Sequence, residues 1–186
     1  MTDELPELPP WPKQAPTHGS VVLREFRHAD TRLALELGDD PYIPLIGSLP
    51  AHPSQQQALE WIDRQCGRLE EGKGFSFAVA DLETDTAVAT AGLWLQNLSD
   101  GRATAGYSVS PLHRGQGIAA NALKALTTFA WTIPALHRIE LHIEQWNQGS
   151  IRTAIAAGYQ REGLLRSYQE IGGARRDMLL YATVRP

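Results

Sequence analysis

The chain is predicted to fold as a mixed α/β (α+β) sheet with helices on its faces. Three observations carry that prediction. Apolar residues recur at helical spacing in two long segments, 54–69 and 118–133. Between them, apolar and polar residues alternate through three short runs separated by polar turns. Further strand-like and helical segments then follow in turn to the end of the chain, a mixture that needs a sheet with helices packed on it.

Taken in order, residues 1–17 hold five prolines in a polar background and read as an extended, flexible arm, leaving residues 18–186 as one domain. Val21, Leu23 and Phe26 mark a short strand, followed by a helix that opens near His28–Asp30 and closes at Gly38. Prolines at 41, 44, 50 and 53 forbid a regular helix over Asp39–Pro53. Ser54 with Gln57 forms a capping-box pattern, and Ala58, Leu59, Ile62, Cys66 and Leu69 form the stripe behind it. That stripe makes Cys66 a packed thiol rather than a nucleophile.

After Gly72–Gly74 the period shortens to two. Phe75–Val79, Val88–Leu95 and Ala103–Val109 read as an antiparallel meander. A helix follows, with Ile118, Ala122, Leu123, Leu126, Ala130 and Ile133 on one face and Pro134 as its stop. Ile139, Leu141 and Ile143 alternate as a strand, Ser150–Ala157 is a short helix ended by Gly158, and Leu164–Ile171 with Met178–Val184 closes the chain as a hairpin.

Composition excludes several function classes. The 186 residues carry a net charge of −4, without the basic face that nucleic-acid binding requires. No apolar run is long enough to span a bilayer. The acidic, proline-rich start is unlike a secretory signal, and the single cysteine precludes an intramolecular disulfide, so a cytoplasmic location is expected. Glu140, His142 and Glu144 share one face of a strand. They read as a polar strand face, and no second ligand cluster supports a metal.

The chemistry concentrates in Gly106–Leu123, where a strand ends, Arg114-Gly115-Gln116-Gly117 turns, and a helix starts at once. Glycines allow close backbone approach, and unpaired first-turn amides at the positive end of a helix dipole make an anion cradle. Arg114 adds a charge able to fork onto a phosphate. A P-loop would need Gly-Lys-Ser/Thr, but Ile118 follows the second glycine. A dinucleotide fingerprint would need a third glycine, and Ala120 stands there instead.

This stretch resembles the coenzyme A signature of the GNAT N-acetyltransferases, Arg/Gln-x-x-Gly-x-Gly/Ala, matched by Arg114, Gly117 and Ala119. Gly106-Tyr107, Pro111, His137-Arg138-Ile139-Glu140, Asn147, Ser150, Gly158-Tyr159, Glu162-Gly163 and Arg176-Asp177 are similar to its RimJ/RimL-like branch. The resemblance runs from about Val21 to the C-terminus. It implies a six- to seven-stranded, mostly antiparallel sheet with a V-shaped splay between two central parallel strands, here those ending near Val109 and Ile143.

By the same resemblance, acetyl-coenzyme A is the acyl donor and a protein N-terminus or small-molecule amine the acceptor, with no metal. The backbone amide of Val109 would polarise the thioester carbonyl, and amides of Arg114, Gly115, Gln116, Gly117, Ile118 and Ala119 would hold the pyrophosphate. Asn147 would bond the pantetheine or simply cap the helix after it, and Ser150 would lie near the sulfur as the general acid. Thr104, Ala154 and Gln169 stand where relatives carry catalytic groups, so the base has no assignment from sequence. A catalytically impaired acyl-coenzyme A sensor and a transferase of longer acyl groups such as succinyl stay open. A homodimer is compatible with the family, without an independent sign in the residues.

Overall fold

The computed structural model describes residues 8–186. Its elements are β1 (Thr17–His18), β2 (Val21–Arg24), α1 (Thr31–Gly38), α2 (Ile43–Ile46), α3 (Gln55–Cys66), β3 (Gly74–Asp81), β4 (Ala87–Trp94) and β5 (Arg102–Val109). These are followed by α4 (Ile118–Ala130), β6 (Arg138–Glu144), α5 (Gln148–Ala156), β7 (Gln160–Ile171) and β8 (Ala174–Val184). The sheet order is β1-β2-β3-β4-β5-β6-β8-β7. Every neighbouring pair is antiparallel except β5 and β6, which run parallel.

One face of the sheet carries α4. Its expected stripe, Ile118, Ala122, Leu123, Leu126 and Ala130, is buried together with Ala125 and Phe129. The opposite face carries α1 and α3, whose Leu33, Leu37, Ala58 and Ile62 pack with Phe26 and Ala78. The capping box at the start of α3 is formed: Gln57 N donates to Ser54 Oγ, and Ser54 N donates to Gln57 Oε1.

Three sequence expectations are corrected. The eighth strand, β1, comes from the end of the proline-rich arm, where His18 pairs with Val21. The arm is also not free over residues 8–17. Trp11 lies with its ring centroid 4.7 Å from that of Phe77 and 5.9 Å from that of Phe75, and Leu8 packs on the same core. Prolines leave the unfolded arm fewer conformations to lose, so the packing of the partly buried Trp11 and Leu8 helps to seat it. Residues 1–7 of the arm lie outside the described residues.

Third, the buried stripe of α3 is Ala58, Trp61, Ile62 and Gln65, and Cys66 is exposed. A glutamine takes the buried place because its amide oxygen and nitrogen both find partners there. Gln65 Nε2 donates to Trp61 O, while Oε1 accepts from Ser76 Oγ and from Arg68 Nε.

Candidate active site

The parallel pair β5–β6 is bridged only at Arg102, Ala103 and Thr104, opposite Arg138, Ile139 and Glu140. Beyond those residues the strands separate, although β5 continues to Val109 and β6 to Glu144. Hydrogen bonding alternates along an antiparallel ladder, which fixes the backbone groups that face the opening. Ser110 N donates to Val88 O, so Ser108 and Gly106 turn their amides to β4, while Val109 and Tyr107 turn theirs to the gap. Arg185 N donates to His137 O, and the same alternation turns the amides of His142 and Glu144 to the gap from the other side. The expected splay is therefore present, with strand amides aimed into it.

At the outer end of β5 lies the glycine turn. Gly115 and Gly117 have φ of +76° and +75°, and nothing stands within 4 Å of the space a side chain would take at either. Gly117 is the N-cap of α4, so the amides that open the helix face solvent. Residues 114–117 are exposed, as an anion seat requires. The Arg114 side chain, however, does not extend from this loop. It turns back so that Nη2 meets Asp40 Oδ2 at 2.7 Å and Nε donates to Val109 O at 3.3 Å. Burial alone would raise the Asp40 carboxyl, but the amides of Ile43 and Tyr42, with Arg114, hold it below the usual range. The cradle consists of backbone, and the expected side-chain fork is committed elsewhere.

On the α1–α3 face, a cavity of about 290 Å³ reaches the edge of the splay. The ring of Trp94 lies across its floor, where side chains at Gly92 or Gly106 would meet it at 2.8 and 3.0 Å. Both glycines are thereby needed to let an indole lie flat on the sheet. Ile43 and Ile46 of α2 and Ile171 of β7 form its outer side, and Leu45 stands against Gly172 in the turn between β7 and β8.

The inner wall brings together His142, Glu144, Asn147 and Ser150. The His142 side chain is 13% exposed, and its ring lies 4.7 Å from that of Tyr168. Burial holds its pKa below the ordinary value, against an opposing pull from Glu140, whose carboxylate stands 4.0 Å from Nε2. Burial thus favours the neutral imidazole, which has a ring nitrogen able to accept a proton. Glu144 is buried, faces the Tyr42 hydroxyl, and has Arg176 Nε at 3.7 Å. Burial, then that carboxylate, raises the Tyr42 pKa.

Asn147 Oδ1 accepts from Ser150 N at 3.0 Å, which confirms its capping role and leaves its amide nitrogen to other partners. Tyr107 donates to Ser150 O at 3.2 Å, and burial keeps its phenol protonated beside the Ser150 and Thr153 side chains. Thr104 and Gln169 face the cavity but cannot titrate near neutral pH, whereas Ala154 is sealed in the core.

The sequence-derived residues thus fall into two groups. Val109, Asn147 and Ser150 stand around the splay, and Arg114–Ala119 lies beyond it, outside the cavity. Of the polar face on β6, Glu140 is held by Arg138 at 2.6 Å, while His142 and Glu144 line the cavity. Period two on that strand identified the face, but only the splay shows that it looks into a cavity. Trp94 forms the cavity floor, while Trp146 is exposed and packs edge-on against Tyr42 with centroids 4.8 Å apart. Among the described residues no cluster of His, Cys, Asp and Glu could hold a metal, and no helix is long and apolar enough to cross a membrane.

A sheet splayed between two parallel strands, with a glycine turn opening a helix at its end, is the arrangement that the sequence resemblance implied for an acyltransferase. The sequence model described as the acetyltransferase (GNAT) domain matches residues 20–160, and the chain belongs to this family of N-acetyltransferases. It is 27% identical over 165 residues to the uncharacterized N-acetyltransferase p20 of Bacillus licheniformis, covering 89% of this chain and 93% of that protein. It is similar to Mycobacterium smegmatis RimJ in complex with a coenzyme A disulfide, with a TM-score of 0.75 and 26% identity, over 92% of this chain and 84% of that one. The fold is also that of a RimL ribosomal-protein acetyltransferase in complex with coenzyme A, with a TM-score of 0.75 and 17% identity, over 91% and 97% of the two chains.

Proposed function

We propose that residues 18–186 act as one catalytic domain that transfers the acetyl group of acetyl-coenzyme A to a primary amine, a protein N-terminus or a small molecule, in the cytoplasm. The observation that carries this reading is the convergence, at the edge of the splay, of outward-facing strand amides with a neutral imidazole and a hydroxyl. Free amides at Tyr107 and Val109 suit the donor's pantetheine arm, and the unobstructed turn with the first amides of α4 suits its pyrophosphate.

In the reaction the amine nitrogen attacks the thioester carbonyl, forming a C–N bond as the C–S bond breaks. The Val109 amide supports the negative charge that develops on the carbonyl oxygen. An amine bound as ammonium is not nucleophilic, and His142 takes its proton. Ser150, beside the Tyr107 phenol, gives the departing sulfur its proton and recovers one from the nitrogen of the new amide, so that the one proton released is the one His142 takes. The presence of His142 in the cavity favours catalysis over a sensing role, since it supplies the titratable group that Thr104 and Gln169 lack.

The test is a calorimetric titration with acetyl-coenzyme A, followed by thiol release across a panel of peptides and small amines. Binding with acceptor-dependent release is expected, and absence of binding would overturn the reading. Ser150→Ala should lower kcat by about tenfold or more while leaving acetyl-coenzyme A affinity unchanged. An unchanged kcat removes Ser150 from the acid role.

A further inference from the structure

The cavity also holds a charged group that the chemistry above does not use. Arg68 lies in the turn after α3 and lines the cavity opposite Glu144 and His142. Its guanidinium carbon stands 5.6 Å from the ring centroid of Trp94, over the cavity floor. Arg68 Nε donates to Gln65 Oε1 at 2.9 Å, and that oxygen also accepts from Ser76 Oγ at 3.0 Å. Gln65 is itself 4% exposed and anchored through Nε2 to Trp61 O. A buried amide network and an indole floored by two glycines therefore hold one guanidinium in place.

Among the described residues the two terminal nitrogens of Arg68 meet no hydrogen-bond acceptor, and no carboxylate lies within ion-pair distance. Glu71, in the same turn, is held by Lys73 at 2.6 Å. A guanidinium with only a structural task would be expected to spend its terminal fork on a carboxylate or on carbonyls. Here the fork is left over, in a pocket whose lining also includes Trp61, Ile43, Ile46 and Leu49.

Resting on the reading that this cavity takes the amine acceptor, we propose that the acceptor carries a carboxylate or phosphate group remote from its amine, and that Arg68 selects it. The amine belongs at the His142–Glu144 end, where the imidazole takes its proton. The Trp94 ring that carries Arg68 lies over Gly92 of β4 and Gly106 of β5, whereas His142 and Glu144 belong to β6, on the other side of the splay. A peptide N-terminus with an acidic side chain near it, or an ω-amino acid, offers an amine and an anion to the two sides.

The decisive experiment compares acceptors that differ only in this charge. One arm uses C-terminally amidated tripeptides Ala-Ala-Glu, Ala-Ala-Gln and Ala-Ala-Lys, and the other uses ω-amino acids of graded length beside their amides. Binding in the presence of coenzyme A is measured by calorimetry and transfer by thiol release, for the wild type, Arg68→Gln and Arg68→Lys. Acids should be preferred over amides by about tenfold or more, the effect expected of a charge-assisted hydrogen bond. In Arg68→Gln the preference should collapse to about twofold or less, through KM rather than kcat and with the acetyl-coenzyme A KM unchanged, while Arg68→Lys keeps part of it. The arm that gives the larger preference names the source.

Equal binding and turnover of acids and amides by the wild type, or a preference that survives Arg68→Gln, overturns the inference and leaves the transferase reading standing. A protein that does not bind acetyl-coenzyme A loses both.

Discussion

His142→Gln should lower kcat by about a hundredfold with little change in the KM for acetyl-coenzyme A, because it removes the group that takes the proton from the attacking amine. Glutamine keeps a hydrogen-bonding side chain of similar reach but cannot titrate, so lost packing is held small. The pH dependence separates chemistry from structure. Burial lowers the His142 pKa, so the imidazole is neutral through the neutral range and becomes charged only as pH falls below the ordinary histidine value. Wild-type kcat/KM should therefore fall on the acid side as His142 protonates, and that limb should be absent in His142→Gln. The limb from ionisation of the acceptor amine, at higher pH, should persist in both. Stability carries the same sign. An unfolded chain takes up the proton first, so stability is present above the ordinary value and declines as pH falls through the depressed one. Acid destabilisation should be shallower in the variant. A kcat that survives the substitution would remove His142 from the proposed mechanism.

Why His142 was not legible in the sequence follows from the kind of information a strand carries. Alternation on β6 separates Ile139, Leu141 and Ile143 from Glu140, His142 and Glu144 without ambiguity, and the apolar set is indeed buried. It does not say whether the polar set meets solvent or a cavity. That depends on where the pairing of β5 with β6 stops, and it stops at Thr104 and Glu140, a property of two strands and not of one. Arg114 is a similar case. Its neighbours in sequence point to a phosphate, but its partner in the fold, Asp40, is 74 positions away. By contrast, the Ser54–Gln57 box, the stop at Gly158 and the turn at Gly115–Gly117 are set by local backbone needs, and all were readable. The stripe of α3 buries Trp61 and Gln65 in place of Leu59 and Cys66, and polarity is a poor proxy for exposure at Gln65, whose amide finds partners inside.

The two halves of the site are joined by polar contacts that sequence could not show. Glu36, in α1, accepts from Ser110 Oγ at 2.6 Å, at the start of the turn that leads to Arg114. Asp40, just after α1, accepts from the amides of Tyr42 and Ile43 through one oxygen and from Arg114 through the other. The segment that carries α2, at the side of the acceptor cavity, is thus tied at its root to the loop proposed to hold the donor. Local backbone signals built the loop, and long-range pairs positioned it.

Gly117→Val should weaken acetyl-coenzyme A binding by about tenfold or more, and the reasoning involves no lost side chain. At φ +75° and ψ 2° the residue is left-handed, and a branched side chain resists that conformation by roughly 1–2 kcal/mol even where space is open. The variant can keep the conformation and lose stability, or leave it and swing the first amides of α4 away from the anion. Either response is measurable, by thermal unfolding or by calorimetry. Gly117→Asn should be milder, since asparagine tolerates the left-handed region. Gly67→Ala, at φ −74° with its nearest neighbouring atom at 3.6 Å, should change neither reading. Affinity that falls in the order Gly, Asn, Val is what backbone preference and close approach of the donor both require, since no protein atom stands within 4 Å of the added one. Such an order would identify the turn as what binds the donor. Affinity indifferent to all three residues would mean that the donor's anion sits elsewhere, and the assignment of residues 114–119 would fall.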